Sequence, residues 1–146
     1  MEKEIINELI QEAGRSSERW GLSSVLGQVW GTLYFKGEMT QEELKKELGI
    51  GLSSISQSIK VLENLGFISP IRKKGRKRVY KADFSTQQIS KIFENMLRFE
   101  LKPMISLLES RKEQVEDKKL KEKINNLQKN MEDTEKILAL ILKIRK

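Results

Sequence analysis

Glycines divide residues 37–75 into short segments, and their spacing limits the fold more than any other feature of the sequence. Gly37 follows a helical stretch, and the turn Gly49-Ile50-Gly51 separates two further stretches of helical period. Gly66 ends the second of these, and Gly75 lies between two short segments of strand character. Two helices joined by a brief glycine turn and followed by a hairpin predict a helix-turn-helix with a projecting β-hairpin.

The elements of this unit have recognisable boundaries. The segment Thr40-Gln41-Glu42-Glu43 has the form of a capping box, which satisfies free amides at a helix start. The first helix is expected to end at Leu48, and the second is expected to run from Leu52 to Leu65. Residues 67–71 and 79–83 are predicted to be the strands of the hairpin. An earlier helix, over residues 22–36, has a broad apolar face that predicts a place in the core.

The positive charge of the chain is concentrated between the two predicted strands. The chain has 28 Lys and Arg against 21 Asp and Glu, a formal net charge of +7. Six of these cations lie in residues 72–78, which we call the wing, so the other 22 cations and 21 acids nearly cancel. A wing of this kind suits DNA phosphates or a minor groove, while the second helix enters the major groove. A solvated loop without a partner is the alternative.

The predicted recognition helix is polar but uncharged near its start. No charged residue occurs from Gly49 to Ile59, so guanine readout by an arginine is not expected. Serine hydroxyls and helix-start amides suit phosphate contacts, and Gln57 can pair with adenine, whereas some of the serines are expected only to cap the helix. The predicted DNA-binding residues are Thr40, Ser53, Ser54, Ser56, Gln57, Lys60, Arg72, Lys73, Lys74, Arg76, Lys77 and Arg78.

The composition argues against an enzyme. The chain has no Cys and no His, which excludes disulfides, thiolate metal sites and a histidine general base. The acidic pairs Glu42-Glu43 and Glu116-Asp117 lie beside lysines and are interpreted as solvated surface. No catalytic residue, metal site or cofactor is predicted. The charged, amphipathic N-terminus and the lack of a long apolar stretch predict a cytoplasmic protein without a membrane partner.

The flanking segments predict helices that mediate dimerisation. Residues 2–13 read as an amphipathic helix that ends near Gly14, and residues 1–19 are expected to pack on the dimerisation region. Residues 20–84 form the expected DNA-binding domain and residues 85–146 the expected dimerisation region. The fold class is therefore mainly α with a small β-hairpin wing: a winged helix-turn-helix domain flanked by N- and C-terminal dimerisation helices.

The C-terminal region should be one long helix bent at Pro103 and a second helix from about Asp117. Residues 137–142 are apolar around nearly the whole helix and need a covering surface. A second subunit would supply it in a homodimer, and an intramolecular bundle is the alternative. The predicted dimer-interface residues are Ile5, Leu9, Leu127, Met131, Leu138 and Ile141.

Aromatic residues are concentrated around the helix over residues 22–36. They could form a cage for a quaternary ammonium effector, but core packing is the favoured interpretation. The residues concerned are Trp20, Trp30, Tyr34 and Phe35.

Residues 20–83 resemble the GbsR-type branch of MarR-like winged-helix transcriptional regulators. The segments that carry the resemblance are GLSSVLGQVWGTLYF, MTQEELKKELGIGLSSISQSIKVLENLGFISPI and RKKGRKRVYKAD. The resemblance implies Ser53, Ser54 and Gln57 in the major groove, with Arg76 or Lys77 near the minor groove. Wings of the MarR type often carry an acid ahead of the arginine, but Lys73 and Lys74 stand there in this chain. The wing is therefore expected to be less preorganised and more purely electrostatic.

The resemblance also implies a homodimeric regulator of transcription that binds double-stranded DNA, and a repressor is expected. Some relatives sense small molecules, so an effector of unidentified chemistry is a further expected partner. A winged-helix module that binds a protein and no nucleic acid is the alternative function. RNA binding is less favoured, because the strands lack the aromatic platform of sequence-reading RNA modules.

Overall fold

The computed structural model describes residues 1–144 and divides the chain into two compact units, one of residues 1–84 and one from residue 85 onward. As predicted, the described chain is mainly helical and contains a two-stranded antiparallel hairpin. The first unit consists of α1 (Glu2–Arg19), α2 (Ser24–Lys36), α3 (Gln41–Leu48), α4 (Leu52–Leu65), β1 (Ile68–Lys74) and β2 (Lys77–Ala82).

The core of the first unit forms around α2, which packs against α3, α4 and β2. Val29 and Leu33 of α2 are almost fully buried. They belong to a hydrophobic cluster to which every element of the first unit except α1 contributes a residue. This cluster positions the hairpin beside the helix-turn-helix. Its buried members are Leu26, Val29, Leu33, Leu44, Ile55, Ile59, Leu62, Ile68, Tyr80 and Ala82.

Helix α1 is longer than the sequence indicates. It runs through Gly14 to Arg19, whereas a helix end near Gly14 was expected. A Cβ on Gly14 would lie 3.1 Å from the Cγ of Gln28 in α2, so this glycine allows close helix packing and does not end the helix. Within the chain α1 packs on α2. The packing of residues 1–19 on the dimerisation region stays a prediction.

The contact between α1 and α2 depends on Gly27. A Cβ at this position would lie 1.9 Å from the carbonyl oxygen of Ala13, which is backbone and cannot rotate away. Gly31, one turn further along α2, approaches Ile10 less closely, with 3.3 Å between a built Cβ and the nearest atom. The backbones of α1 and α2 therefore cross with only a glycine hydrogen between them.

The second unit is an antiparallel helical hairpin. Its first arm is α5 (Thr86–Asn95), a π-helical turn (Met96–Leu101) and α6 (Lys102–Arg111), and its second arm is α7 (Lys118–Ile144). Lys102 pairs with Glu135 at 3.2 Å, and the Gln128 amide donates to Glu109 at 2.5 Å. As predicted, helicity continues past Pro103. The π-helical turn directly before this proline accommodates its missing amide.

Replacing Gly27 with Ala should destabilise the first unit by about 1 to 3 kcal/mol, because overpacking against backbone exceeds the gain in helix propensity. Chemical denaturation followed by circular dichroism measures the change. Gly31→Ala is the matched control in the same helix and should cost less, since a shift of a few tenths of an ångström accommodates it. Equal stability of Gly27→Ala and the parent would contradict the close crossing.

Candidate nucleic-acid interface

Helix α4 presents its polar residues to solvent and its apolar residues to the core. Ile55, Ile59 and Leu62 are buried, and Ser58 is buried with them. The residues predicted to contact DNA lie on the opposite side, and all of them are exposed. They are Ser53, Ser54, Ser56, Gln57 and Lys60.

The start of α4 has no side-chain cap. Its N-cap residue is Gly51, and no side chain within residues 1–144 accepts a hydrogen bond from the first-turn amides. The interpretation that serines cap this helix is therefore wrong for its start. Free amides at a helix N-terminus carry partial positive charge and suit a phosphate oxygen.

The hairpin is longer than predicted and takes up most of the wing. Strand β1 ends at Lys74 and β2 begins at Lys77, so Gly75 and Arg76 alone form the turn. Gly75 has a φ of +66°, which a two-residue hairpin turn of type II′ requires at its first central position. The cations of the wing are consequently held in a paired ladder, with Lys73 opposite Arg78 and Lys74 opposite Lys77.

The hairpin is attached to the helices by a backbone pair. Met39, which lies between α2 and α3, exchanges both hydrogen bonds with Tyr80 of β2, at 3.2 and 2.9 Å. The Tyr80 side chain is buried in the core cluster. Residue Ile71 is a bulge in β1, since Pro70 pairs with Tyr80 and Arg72 pairs with Val79. The stem of the hairpin is therefore fixed before the wing begins.

Two of the six wing cations form ion pairs with residues outside the wing. Arg72 Nη1 lies 2.6 Å from Glu38 Oε1, and Lys74 Nζ lies 3.5 Å from Glu43 Oε2. The expectation of a less preorganised wing is therefore corrected for its stem, because acids from the segment before α3 and from α3 itself hold it. Within residues 1–144, no salt bridge involves the other four cations, which are Lys73, Arg76, Lys77 and Arg78.

Thr40 has a structural role that the DNA-binding prediction overlooked. It is 3% exposed, and its hydroxyl accepts a hydrogen bond from the Glu43 amide at 3.2 Å. The Glu43 carboxylate accepts from the Thr40 amide at 2.9 Å, which completes the predicted capping box. Thr40 is therefore too buried to contact DNA. The backbone and side-chain hydrogen bonds from Thr40, followed by the Lys74 charge, lower the pKa of Glu43 below its ordinary value of 4.5.

An open groove separates the wing from the helix starts. Its volume is about 340 Å³. The groove is bounded by the beginning of α3, the beginning of α4 and the part of β2 that leaves the wing. Its lining residues are Gln41, Glu42, Leu52, Lys77, Arg78 and Tyr80. The structure therefore brings two wing cations, Lys77 and Arg78, and the uncapped start of α4 to the two sides of one groove.

The prediction that the aromatic residues around α2 pack in the core is only partly correct. Trp20 is 82% exposed, and Tyr34 and Phe35 are also exposed, so the prediction of core packing is wrong for these three residues. Trp30 does pack against the core, and its indole N–H donates to the Asp83 carbonyl at 3.1 Å. The Trp30 and Tyr34 rings stack at 5.0 Å between centroids, and Phe35 contacts both edge-on. Rings in mutual contact enclose no space for a cation.

The predicted dimer residues differ in exposure. Leu138 is 5% exposed within one chain, so its assignment to an intersubunit surface is corrected. Met131 is half-buried, and the other four are exposed: Ile5, Leu9, Leu127 and Ile141. Besides Leu120, the predicted interface residues omitted three exposed residues near the end of α7, which are Ile137, Leu140 and Ile144, although residues 137–142 were expected to need a covering surface. Their spacing with Ile141 (i, i+3, i+4 and i+7) was the signal that could have identified them.

Two classes of feature are absent from the part of the chain that the structure describes. No helix within residues 1–144 is long and apolar enough to cross a lipid bilayer. The described residues also contain no group of three or more acidic side chains that could hold a metal ion.

Comparison with known proteins extends these observations. No protein-family model matches the chain. The chain is 28% identical over 76 residues to the HTH-type transcriptional repressor GbsR of Bacillus subtilis (strain 168). The resemblance to regulators of the GbsR and MarR type is confirmed. The matched segment covers 51% of this chain and 42% of GbsR, so the chain spans less than half of the repressor's length.

A solved structure extends the likeness in fold over nearly the whole chain. The crystal structure of a transcriptional regulator superposes with a TM-score of 0.70 at 16% identity, covering 96% of this chain and 97% of that one. A MarR family regulator from Neisseria meningitidis gives a TM-score of 0.42 at 20% identity, with 90% and 92% covered. The relative GbsR is a transcriptional repressor, in agreement with the sequence prediction of a regulator that is not an enzyme.

The lowered pKa of Glu43 predicts that its contribution to stability depends on pH. Its contribution to stability is present above pH 4.5 and is lost as the pH falls through the lower pKa of the folded state. Glu43→Gln keeps a capping acceptor but loses the charge. The melting temperature of the parent should exceed that of the variant at pH 7, and the difference should shrink toward pH 3. A difference independent of pH would contradict the charged role of Glu43.

Proposed function

We propose that the protein is a transcriptional regulator that binds double-stranded DNA as a homodimer and acts as a repressor. The observation that carries the proposal is a groove that Lys77 and Arg78 of the wing share with the start of α4 at Leu52. The polar side chains of α4 next to this start are exposed. A helix and a cationic hairpin on one side of a small domain match the major-groove and phosphate contacts of winged-helix proteins. GbsR is itself a transcriptional repressor, which supports the regulatory role.

The contacts divide into two kinds. The wing and the uncapped start of α4 meet phosphates, which supply affinity without reading sequence. Gln57 and the exposed serines of α4 meet base edges, with Gln57 suited to adenine. Because α4 carries no arginine, affinity comes mainly from the wing and specificity is modest.

The affinity for duplex DNA should depend steeply on salt. Four free cations per subunit give a slope of log K against log salt of up to about −3.6 per subunit, at about −0.9 per phosphate. Replacing Arg76, Lys77 and Arg78 with Ala should nearly abolish binding, measured by fluorescence anisotropy. The matched control removes the same charge from exposed residues of α7, as Lys118→Ala, Lys119→Ala and Lys123→Ala, and should bind almost as the parent does.

Two outcomes would contradict DNA binding through the wing. One is a wing triple variant that binds duplex as tightly as the parent at equal salt. The other is a parent whose binding to any macromolecule is insensitive to salt, which would favour the alternative of a protein-interaction module. Stronger binding to single-stranded RNA than to duplex DNA would favour RNA recognition.

The dimer is proposed from the second apolar face of α7. Leu138 and the half-buried Met131 belong to a face that is covered within the chain. A different set of α7 residues (Ile137, Leu140, Ile141 and Ile144) is exposed on adjacent turns, and Leu140 is 62% exposed. An apolar stripe of this width on a soluble helix needs a partner, and a second copy of the same helix offers a matching stripe.

The mass of the protein in solution tests the dimer. Light scattering at tens of micromolar should give twice the chain mass of 17.0 kDa. The double variant Ile137→Glu and Leu140→Glu should give the single-chain mass with unchanged helicity, because both residues are exposed in the chain. Leu138→Ala is the control: it should lower stability by about 2 to 5 kcal/mol through a core cavity and still dimerise. A parent of single-chain mass would contradict the proposal.

A further inference from the structure

The two faces of the wing differ in their electrostatic environment. Side chains alternate along a strand, so Arg72 and Lys74 share one face of β1. Both of them form ion pairs with acids of the helical part, Glu38 and Glu43. Val79, directly opposite Arg72 on the same face, is 2% exposed. On this face, both cations of β1 are therefore engaged in contacts within the protein, and Lys77 of β2 forms no salt bridge within residues 1–144.

The opposite face carries a cation pair without an acid. Lys73 lies between the two tethered cations in sequence, and the register places Arg78 directly opposite it. Within residues 1–144 no salt bridge involves either residue. Like charges directly opposite each other in an antiparallel pair repel, and an anion between them removes the repulsion. Tyr80, two residues from Arg78, shares this face and lines the groove together with Leu52 at the start of α4.

We propose that the cations of the wing have two different functions. Arg72 and Lys74 anchor the hairpin to the protein through Glu38 and Glu43, which act as positioning residues for DNA binding. Lys73 and Arg78, on the opposite face of the hairpin, bind the DNA backbone. This inference rests on the proposed DNA-binding function and specifies which of its residues contact phosphate.

The division predicts effects of different size and kind. An exposed ion pair changes an equilibrium by about 1.4-fold to 5-fold. Loss of both tethers should therefore weaken DNA binding by about 3-fold to 10-fold, and the number of phosphate contacts should stay the same. Loss of Lys73 and Arg78 removes two contacts, which should reduce the salt slope by about 1.8 per subunit.

The test is a salt titration of duplex binding with two matched double variants. Lys73→Gln with Arg78→Gln should flatten the salt dependence. Arg72→Gln with Lys74→Gln removes the same charge from the same hairpin and should keep the parent slope while weakening affinity about 3-fold to 10-fold. Equal flattening by both pairs would overturn the division of tasks.

Variants of Glu38 and Glu43 give the sharper test. Electrostatic repulsion alone and a positioning role predict changes in DNA affinity of opposite sign. Removing negative charge near DNA strengthens binding if Glu38 and Glu43 only repel the backbone. Glu38→Gln with Glu43→Gln should instead weaken binding about 3-fold to 10-fold, and the swap Glu38→Arg with Arg72→Glu should restore part of the loss. Tighter binding by the double glutamine variant would overturn the positioning role.

A measurement on the free protein separates this inference from the proposed function. Amide hydrogen exchange of the β1–β2 ladder should be faster in the Glu38→Gln and Glu43→Gln variant, while exchange within α4 stays at the parent rate. If the parent fails to bind duplex DNA but the ladder still exchanges faster in the variant, the tether holds and the DNA function is wrong. Unchanged ladder exchange together with unchanged DNA affinity would overturn the tether itself.

Discussion

The backbone pair between Met39 and Tyr80 is the interaction on which the candidate interface depends. It makes the short segment between α2 and α3 a third line of the hairpin ladder. The residues on either side of Met39 are thereby brought beside the wing: Glu38 reaches Arg72, and Thr40 begins the helix that carries Glu43. A hairpin attached only through its own chain ends would have no such fixed neighbours. The same backbone pair therefore fixes both the position of the wing and its ion pairs.

The local parts of this arrangement could be predicted from the sequence, because their signals lie within a few residues. The capping box at Thr40 and the glycine turns gave the helix starts and ends, and Gly75 gave the hairpin tip. The strands were predicted too short, since lysine and arginine carry little strand signal and the ladder is fixed by its partner. The tethers of Glu38 and Glu43 were not predictable, because they join residues more than 30 positions apart.

Tertiary contacts also explain the two errors in assigning roles to single residues. Thr40 was expected at the DNA, but the turn before α3 buries its side chain while the hydroxyl caps the helix. Leu138 was expected between subunits because residues 137–142 are apolar around nearly the whole helix. A pattern of apolar residues indicates which faces of a helix must be covered. Only the packed structure shows whether the same chain or a partner covers each face.

The bulge at Ile71 has a consequence for how the wing can change. Upstream of it, Ile68 faces the core together with its ladder partner Ala82. The extra residue reverses the alternation, so that Arg72 lies on the face of Val79 and Lys73 on the face of Arg78 and Tyr80. If Ile71 were paired regularly with Val79, Arg72 would lie opposite Arg78 and Lys73 opposite Lys77, so the two sets of cations would exchange faces while the composition and net charge of the wing stayed the same. The order of the basic residues in this hairpin, and not their number alone, therefore determines which of them pair with Glu38 and Glu43.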